Sequence, residues 1–419
     1  MKSLVLFVVS CGVASAFAGL EIVSPKEGET VEQLWPNVKR FLDMPREQRQ
    51  LNGLNLNKKS KREFKDHVGA KPVDFKWSGN ENGVYEFKVS RMPDGKEFVS
   101  AVVTGCATQV KGRLEIAREW KWSVSDGKET AVGTFKTEDR APRIVSLEGV
   151  HNSRDLGGWI GLDGRRVRQG LALRTGGLNN NAKSEYYSYE EILELHKQGK
   201  LVGAGVGRNA AHLSREYASK LGRGNGIDKN FLRLIKTPPQ GPGTDRMTAA
   251  DRDYLLNFWK MKSDLDLRGD WETFGMLFSP LGRDVNLFHF ETRAGYGGFV
   301  TPMGRANHAM NLTVFMDAKN YPIDFHCIGG TDRTGTMAYL LNGFLGVSEE
   351  DLIRDYEMSF ISGGGVDKRH YNWLMGLVNA VRELPGDSIA DKIWRYYLTL
   401  GFTEEQLKDL RERLLEPAK

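Results

Sequence analysis

A chain of 419 residues holds two or three domains at roughly 100–200 residues each, and its 40% apolar, 27% charged and 10% aromatic composition excludes disorder as the main state. The formal charge of +5 comes from 59 Lys and Arg mixed with 54 Asp and Glu, without a basic block of five or more, which argues against a dedicated nucleic-acid binder. Glycine, at 47 residues, clusters in non-repeating stretches such as 203–207 and 363–365 that read as shaped loops.

Residues 1–18 read as an export signal. Lys2 gives a positive start, Leu4 to Val9 begin a short apolar core, and Ala16-Phe17-Ala18 forms a small-x-small cleavage site before Gly19. The apolar stretch is shorter than the ~20 residues a spanning helix needs. Cleavage to a periplasmic or secreted protein is therefore expected, with a lipoprotein acylated at Cys11 as the lesser alternative. No later stretch reaches 18 apolar residues, so no membrane span is expected. Once Cys11 has left with the signal, Cys106 and Cys327 remain, far apart and without a disulfide framework. Cys106 ends the apolar run that starts at Ala101 and reads as a core residue.

From Gly19 to Arg143 the pattern is β. Tyr85, Phe87 and Val89, then Trp120, Trp122 and Val124, alternate with polar residues as half-buried strands do. Ser125-Asp126-Gly127-Lys128 supplies a hairpin turn before a strand from Thr130 to Phe135. Several short strands in so few residues predict a small β-sandwich over 19–143. Its opening Ser24-Pro25-Lys26-Glu27-Gly28 and the strand Trp120 to Val124 resemble immunoglobulin-like or fibronectin-III-like modules of exported bacterial enzymes, which implies a surface for a protein or glycan partner. Leu34 to Leu51, bracketed by Pro36 and Pro45, interrupts the strands as a helical excursion or loop.

Arg140-Ala141-Pro142-Arg143 reads as the linker. Beyond it helical periodicity appears at Glu190 to Gln198, Ala249 to Trp259, Gly335 to Leu345, Glu349 to Met358, Tyr371 to Leu384 and Glu404 to Leu414. Short strands such as Ile323-Asp324-Phe325 intervene, so residues 144–419 are expected to form an α/β domain with a central sheet flanked by helices. Thr403 and Gln406 carry the spacing of a capping box. Alternating polar, Gly-rich and Pro-rich pieces over 179–260 read as an insertion.

The chemistry concentrates in Pro322-Ile323-Asp324-Phe325-His326-Cys327-Ile328-Gly329-Gly330-Thr331-Asp332-Arg333-Thr334-Gly335, a strand, a tight loop and the start of an apolar helix. A cysteine at the strand end and an arginine six positions later close a loop whose N–H groups, from Ile328 through Thr331 and on to Gly335, can ring a tetrahedral dianion at a helix N-terminus. The same positive potential lowers the Cys327 thiol toward the attacking thiolate, and Arg333 can fork two phosphoryl oxygens as a lysine cannot. Gly329, Gly330 and Gly335 let the backbone approach the anion. Thr334 can donate to the cysteine sulfur, and His326 reads as a donor that fixes the loop.

This segment resembles the signature of the cysteine-dependent tyrosine phosphatases, in particular the atypical bacterial tyrosine/dual-specificity family with the loop H-C-x-x-G-x-D-R-T-G. The likeness extends to His151-Asn152-Ser153-Arg154-Asp155-Leu156-Gly157-Gly158, Leu173-Arg174-Thr175-Gly176, Asp264-Leu265-Asp266-Leu267-Arg268 and Asp355-Tyr356-Glu357-Met358-Ser359. It implies phosphomonoester hydrolysis through a phosphocysteine, with no cofactor or metal, on a phosphorylated protein or small phosphoester. Inositol phosphates and phosphoinositides are the alternative substrates, and a non-catalytic phosphate-binding or surface-interaction module is the alternative from another class. Thr331 stands where many members carry lysine, which tells against lipid substrates. The family's general acid maps to Asp266, the residue favoured here, with Asp332 assisting from within the loop. Arg154, Asp155 and Arg174 are expected to form an ionic lattice beside the site.

Overall fold

A computed structural model of the chain describes residues 19–50, 69–179, 246–269, 272, 279–282, 284–292, 294–362 and 368–418. These fall into two compact units, cut elsewhere than at the Arg140–Arg143 linker.

The described part of the first unit comprises residues 19–31, 72–110 and 118–137. Its strands are β1 (Ile22–Ser24), β2 (Glu29–Val31), β3 (Val73–Trp77), β4 (Val84–Arg91), β5 (Glu97–Thr104), β6 (Ala107–Val110), β7 (Glu119–Ser125) and β8 (Thr130–Thr137). They form a three-stranded sheet, β1-β3-β6, and a five-stranded sheet, β2-β8-β7-β4-β5. The alternation read in the sequence places Tyr85, Phe87 and Val89 on one face of β4 and Trp120, Trp122 and Val124 on one face of β7, all buried. Phe75 of β3 meets Phe87 and Trp122 edge-on at 5.0 Å, so aromatic rings from both sheets share one core. The β7–β8 turn works as its residues predict: Gly127 adopts φ +87°, and the Asp126 carboxylate accepts from the Lys128 and Glu129 N–H groups.

The described part of the second unit lies within residues 32–50, 69–71, 111–117 and 138–418. The helical excursion expected inside the β module therefore belongs here. Helix α1 (Pro36–Asp43) buries Val38, Phe41 and Leu42 in a cluster with Leu34, Ile144, Met358 and Ile361. An amphipathic helix joins whichever core covers its apolar stripe, and sequence position does not decide which.

The sheet of this unit combines β9 (Arg154–Asp155), β10 (Ala172–Thr175), β11 (Ser263–Asp266), β12 (Asn286–His289) and β13 (Ile323–His326) in the order β12-β11-β13-β10-β9. The inner pairings are parallel and β9 closes one edge antiparallel. Its helices are α2 (Ala249–Asp253), α3 (Tyr296–Val300), α4 (Pro302–Met316), α5 (Arg333–Phe344), α6 (Glu349–Ile361), α7 (Lys368–Glu383), α8 (Ile389–Thr399) and α9 (Glu404–Leu414). Helix α9 opens on the expected box: Thr403 accepts from the Gln406 N–H and the Gln406 side chain accepts from the Thr403 N–H. Helix α4 escaped the periodicity reading because its buried positions include Asn307, His308 and Asn311, which leave no clean apolar stripe. The helix expected at Glu190 to Gln198 and most of the expected insertion lie outside the described residues. The end of that insertion, 246–260, is not peripheral: Met247, Leu255 and Trp259 are buried with Val145 and Leu173 of the core.

Candidate active site

Parallel strands end together at one edge of the sheet, and there β13 runs into the loop Cys327–Asp332 and then helix α5. The loop is shaped from outside by its carbonyls. The Ile328 oxygen accepts from Arg246 Nη1 at 2.7 Å and from the Gly177 N–H at 2.9 Å. Asn152 Nδ2 donates to the Gly329 oxygen at 2.9 Å, and Arg174 Nη2 donates to the Gly330 oxygen at 2.9 Å. In a planar trans peptide the N–H points opposite to its carbonyl, so three consecutive carbonyls held outward turn the N–H groups of Gly329, Gly330 and Thr331 the other way. Gly330 is required: its φ is +65°, and a Cβ there would sit 2.5 Å from the Thr175 oxygen. At Gly335 a Cβ would sit 2.6 Å from the Tyr356 ring.

Cys327 is 2% exposed. Burial alone would raise its thiol. The Arg333 charge, the Thr334 hydroxyl and the Thr334 N–H outweigh burial and lower it from the ordinary value. Thr334 is itself buried, and its hydroxyl has no hydrogen-bonded oxygen or nitrogen partner among the described residues. Arg333 pairs bidentately with Glu272, through Nη2 to Oε1 at 2.9 Å and through Nη1 to Oε2. Glu272 is in turn held by the Gly269 N–H at 2.6 Å. Thr331 is buried and its hydroxyl turns back on the Gly329 oxygen at 3.4 Å.

The two candidate acids have opposite surroundings. Asp266, at the end of β11, is buried and saturated: Arg268 gives it Nε at 2.9 Å, Nη2 at 2.7 Å and its backbone N–H at 3.0 Å. Burial pushes its carboxyl up, but the charges of Arg268 and His326 win and hold it far below the usual range. A carboxylate so held favours its charged form, which weighs against the expected assignment of the acid to Asp266. Asp332 sits at the first turn of α5 without capping it. Its Oδ1 accepts from the Tyr356 hydroxyl at 2.8 Å and its Oδ2 lies 3.4 Å from His370 Nε2. Burial raises its carboxyl, and His370, Tyr356 and Arg333 offset only part of that rise.

His326 turns away from the loop's interior. Its Nε2 lies 2.9 Å from Asp264 Oδ1 and its Nδ1 3.2 Å from the Cys327 carbonyl. Burial opposes its charge, but the Asp266 and Asp264 carboxylates raise it to about 9. Beside it burial pushes Asp324 up to about 8, and the Thr175 hydroxyl donates to that carboxyl at 3.1 Å. Asp264, Asp324 and His326 are residue types that can hold a metal, with ligand atoms within 4.8 Å of one another. His326 Nε2 and Asp264 Oδ1 face each other as an ion pair, the Thr175 hydroxyl donates to Asp324, and the Ser279 hydroxyl donates to Asp264 at 2.7 Å. They form an ionic floor under the loop.

The expected lattice divides in two. Arg154 Nε donates to Asp355 Oδ1 at 2.7 Å and Arg174 Nη1 donates to Asp355 Oδ2, so Asp355 ties α6 to the loop through Arg174. Asp155 pairs instead with Arg143 at 2.9 Å. Glu272, Tyr356, His370, Asn152 and Arg246 have no assigned part in the sequence reading.

The model of a tyrosine phosphatase family matches residues 145–196 and 242–416, more than half of the chain. The chain belongs to the tyrosine phosphatase family. The break in the match, 197–241, falls inside the stretch read as an insertion. A relative from Cupriavidus necator, named as a candidate tyrosine-protein phosphatase, is 27% identical over 232 residues, which is 52% of this chain and 66% of the relative. The chain thus spans slightly under two thirds of that relative's length.

Proposed function

We propose that this chain is an exported phosphomonoester hydrolase acting through a phosphocysteine, with phosphotyrosine or other phosphorylated protein side chains as substrate. The observation that carries the reading is the pinned loop: three carbonyls fixed outward, a lowered thiol at the centre and an arginine fork at the rim. A dianionic phosphoryl group fits such a ring of N–H donors. Glu272 holds the Nη1–Nη2 end of Arg333, and the Nε–Nη edge is offered to two phosphoryl oxygens. No metal is needed to neutralise the phosphoryl charge where amides and a guanidinium already do so.

In the first step the Cys327 sulfur attacks phosphorus, the bond to the leaving oxygen breaks, and Asp332 gives that oxygen its proton. In the second, water attacks the phosphocysteine, its proton returns to Asp332, and the thiolate leaves stabilised by Thr334. A group that is first acid and then base must hold a proton at rest and carry it to the reacting oxygen. The raised carboxyl of Asp332 supports that role and the charge-locked Asp266 does not.

The decisive experiment pairs turnover with binding. Cys327→Ser should abolish hydrolysis yet keep binding of a phosphate analogue such as orthovanadate, because the amide ring survives. Arg333→Lys should also fail, since one ammonium cannot replace the fork. Residual activity above a few per cent in Cys327→Ser would sink the phosphocysteine. The export reading rests on residues 1–18, and N-terminal sequencing of secreted material that begins at Gly19 would support it. We assign the first unit, by its resemblance to immunoglobulin-like modules, to binding a protein or glycan partner.

A further inference from the structure

Six strands end a sheet among the described residues, and five of them are short: β1 and β2 have 3 residues, β6 and β12 have 4, and β9 has 2. The sixth, β5, has 8. Proteins blunt sheet edges with short strands, lysines, prolines or bulges, because an open edge is a template for another strand. In β5 the only charge is Glu97 at its start, and a register shift against β4 is confined to that same end. From Val99 to Thr104 the pairing with β4 is regular, and Ser100, Ala101, Val102 and Thr104 are exposed. Val102, at 73% exposure, is the most exposed large hydrophobic residue among those described.

We propose that β5 is a self-association edge, pairing antiparallel with β5 of a second copy of this chain about a two-fold axis at Ala101. The two five-stranded sheets then continue as one. The strand's own sequence selects this partner. An axis perpendicular to the sheet keeps each residue on its own face, so odd positions meet odd ones and even positions even ones. Centred on Ala101, Val99 meets Val103, Ser100 meets Val102, and the smallest side chain lies on the axis opposite itself, while Phe98, the extra residue of the bulge, lies outside the paired run. The uncharged run from Val99 to Val103 thus pairs with itself, and Glu97 falls beyond it on the far side of the bulge. Centring on Ser100 would set Glu97 against Val103 and Lys96 against Thr104; centring on Val102 would waste Val99 on Gly105. β-branched pairs across such a ladder are the ones that stabilise it. A single strand pair buries less than the ~1,200 Å² of a standard interface, so the dimer should be weak, with a dissociation constant of about 1–100 μM.

The test uses the full chain. Sedimentation velocity from about 5 to 500 μM should show the mass doubling, and Val102→Lys should restore the monomer while hydrolysis of p-nitrophenyl phosphate stays unchanged. Register is read by oxidation. Directly opposed residues have Cα atoms about 4.5–5.5 Å apart, within disulfide range, so Ala101→Cys should give a covalent dimer faster than Thr104→Cys or the unsubstituted protein. A wild-type chain that stays monomeric at the top concentration overturns the proposal, including the case in which the edge serves an extended peptide of another protein. Equal cross-linking of Ala101→Cys and Thr104→Cys overturns the register and with it the argument for self-pairing.

Discussion

The end of β11 and the first turn of α5 each bring an aspartate to the same site, and they treat it in opposite ways. At the strand end Asp266 takes two side-chain nitrogens and the backbone N–H of Arg268, and its proton is driven off. At the helix start Asp332 meets a tyrosine hydroxyl and a distant imidazole, and burial keeps its proton affinity high. Both side chains lie in the interior or nearly so, and burial pushes both the same way. The difference lies in how much positive charge each finds within hydrogen-bonding reach. On the proposed mechanism the acid is the carboxyl whose partners leave it its proton, and motif position alone does not separate the two.

The sharpest way to break this contrast is to neutralise each carboxylate in turn. Asp332→Asn should lower kcat/KM on a phosphotyrosine peptide by about 10²–10⁴-fold and leave p-nitrophenyl phosphate much less affected, because p-nitrophenolate departs without a proton. Equal losses on both substrates would reduce Asp332 to an orienting group. Asp266→Asn should act on the fold instead. It strands the buried Arg268 guanidinium, and removal of one member of a buried pair costs about 3–5 kcal/mol. Urea denaturation should show that loss, with activity on the two substrates falling in parallel. A leaving-group dependence in Asp266→Asn would restore it as the acid.

The ionic floor gives a third test, through pH. His326 is raised to about 9 from an unfolded value near 6.5, so its stabilising contribution is complete below pH 6.5 and is lost as pH rises through 9. A shift of that size corresponds to about 3 kcal/mol. Asp324, raised to about 8, also keeps a proton that the unfolded chain has released, and it erodes stability in the same direction up to pH 8. The unfolding midpoint should therefore fall between pH 6.5 and 9, and His326→Gln should flatten the fall. A midpoint independent of pH over that window would mean that the cluster does not hold its protons as the geometry requires.

What the sequence disclosed and what it hid follow from distance along the chain. The strand, loop and helix from Ile323 to Phe344 were legible because every group that defines them lies within about twenty neighbours, where turn, cap and periodicity rules operate. The donors that hold the loop open were not. Asn152, Arg174 and Arg246 reach its carbonyls from 177, 156 and 82 positions away, and nothing local marks a side chain for a carbonyl that remote. Helix α1 and residues 111–117 were misplaced for the same reason, since local pattern shows an apolar stripe and not the core that takes it. Glu272 lies four residues past Arg268, beyond the segment that resembles the family's Asp-Leu-Arg element, and no local pattern singles it out.

The smallest expected effect bears on how Asp332 presents its proton. The Tyr356 hydroxyl donates to Oδ1, so a protonated Asp332 must carry its hydrogen on Oδ2, the oxygen nearer His370. Tyr356→Phe removes this discrimination and little else: the ring stays against Gly335, and Asp332 remains half-buried at the start of α5. Losing one hydrogen bond of this kind is worth about 1 kcal/mol, so kcat/KM on a phosphotyrosine peptide should fall by roughly 3–10-fold. The p-nitrophenyl phosphate rate should not move. The same substitution removes a bond that favours the carboxylate, so the pH limb set by Asp332 should shift upward. A loss on both substrates, or a limb that moves down, would show that Tyr356 supports the packing under Gly335 and has no hand in placing the proton.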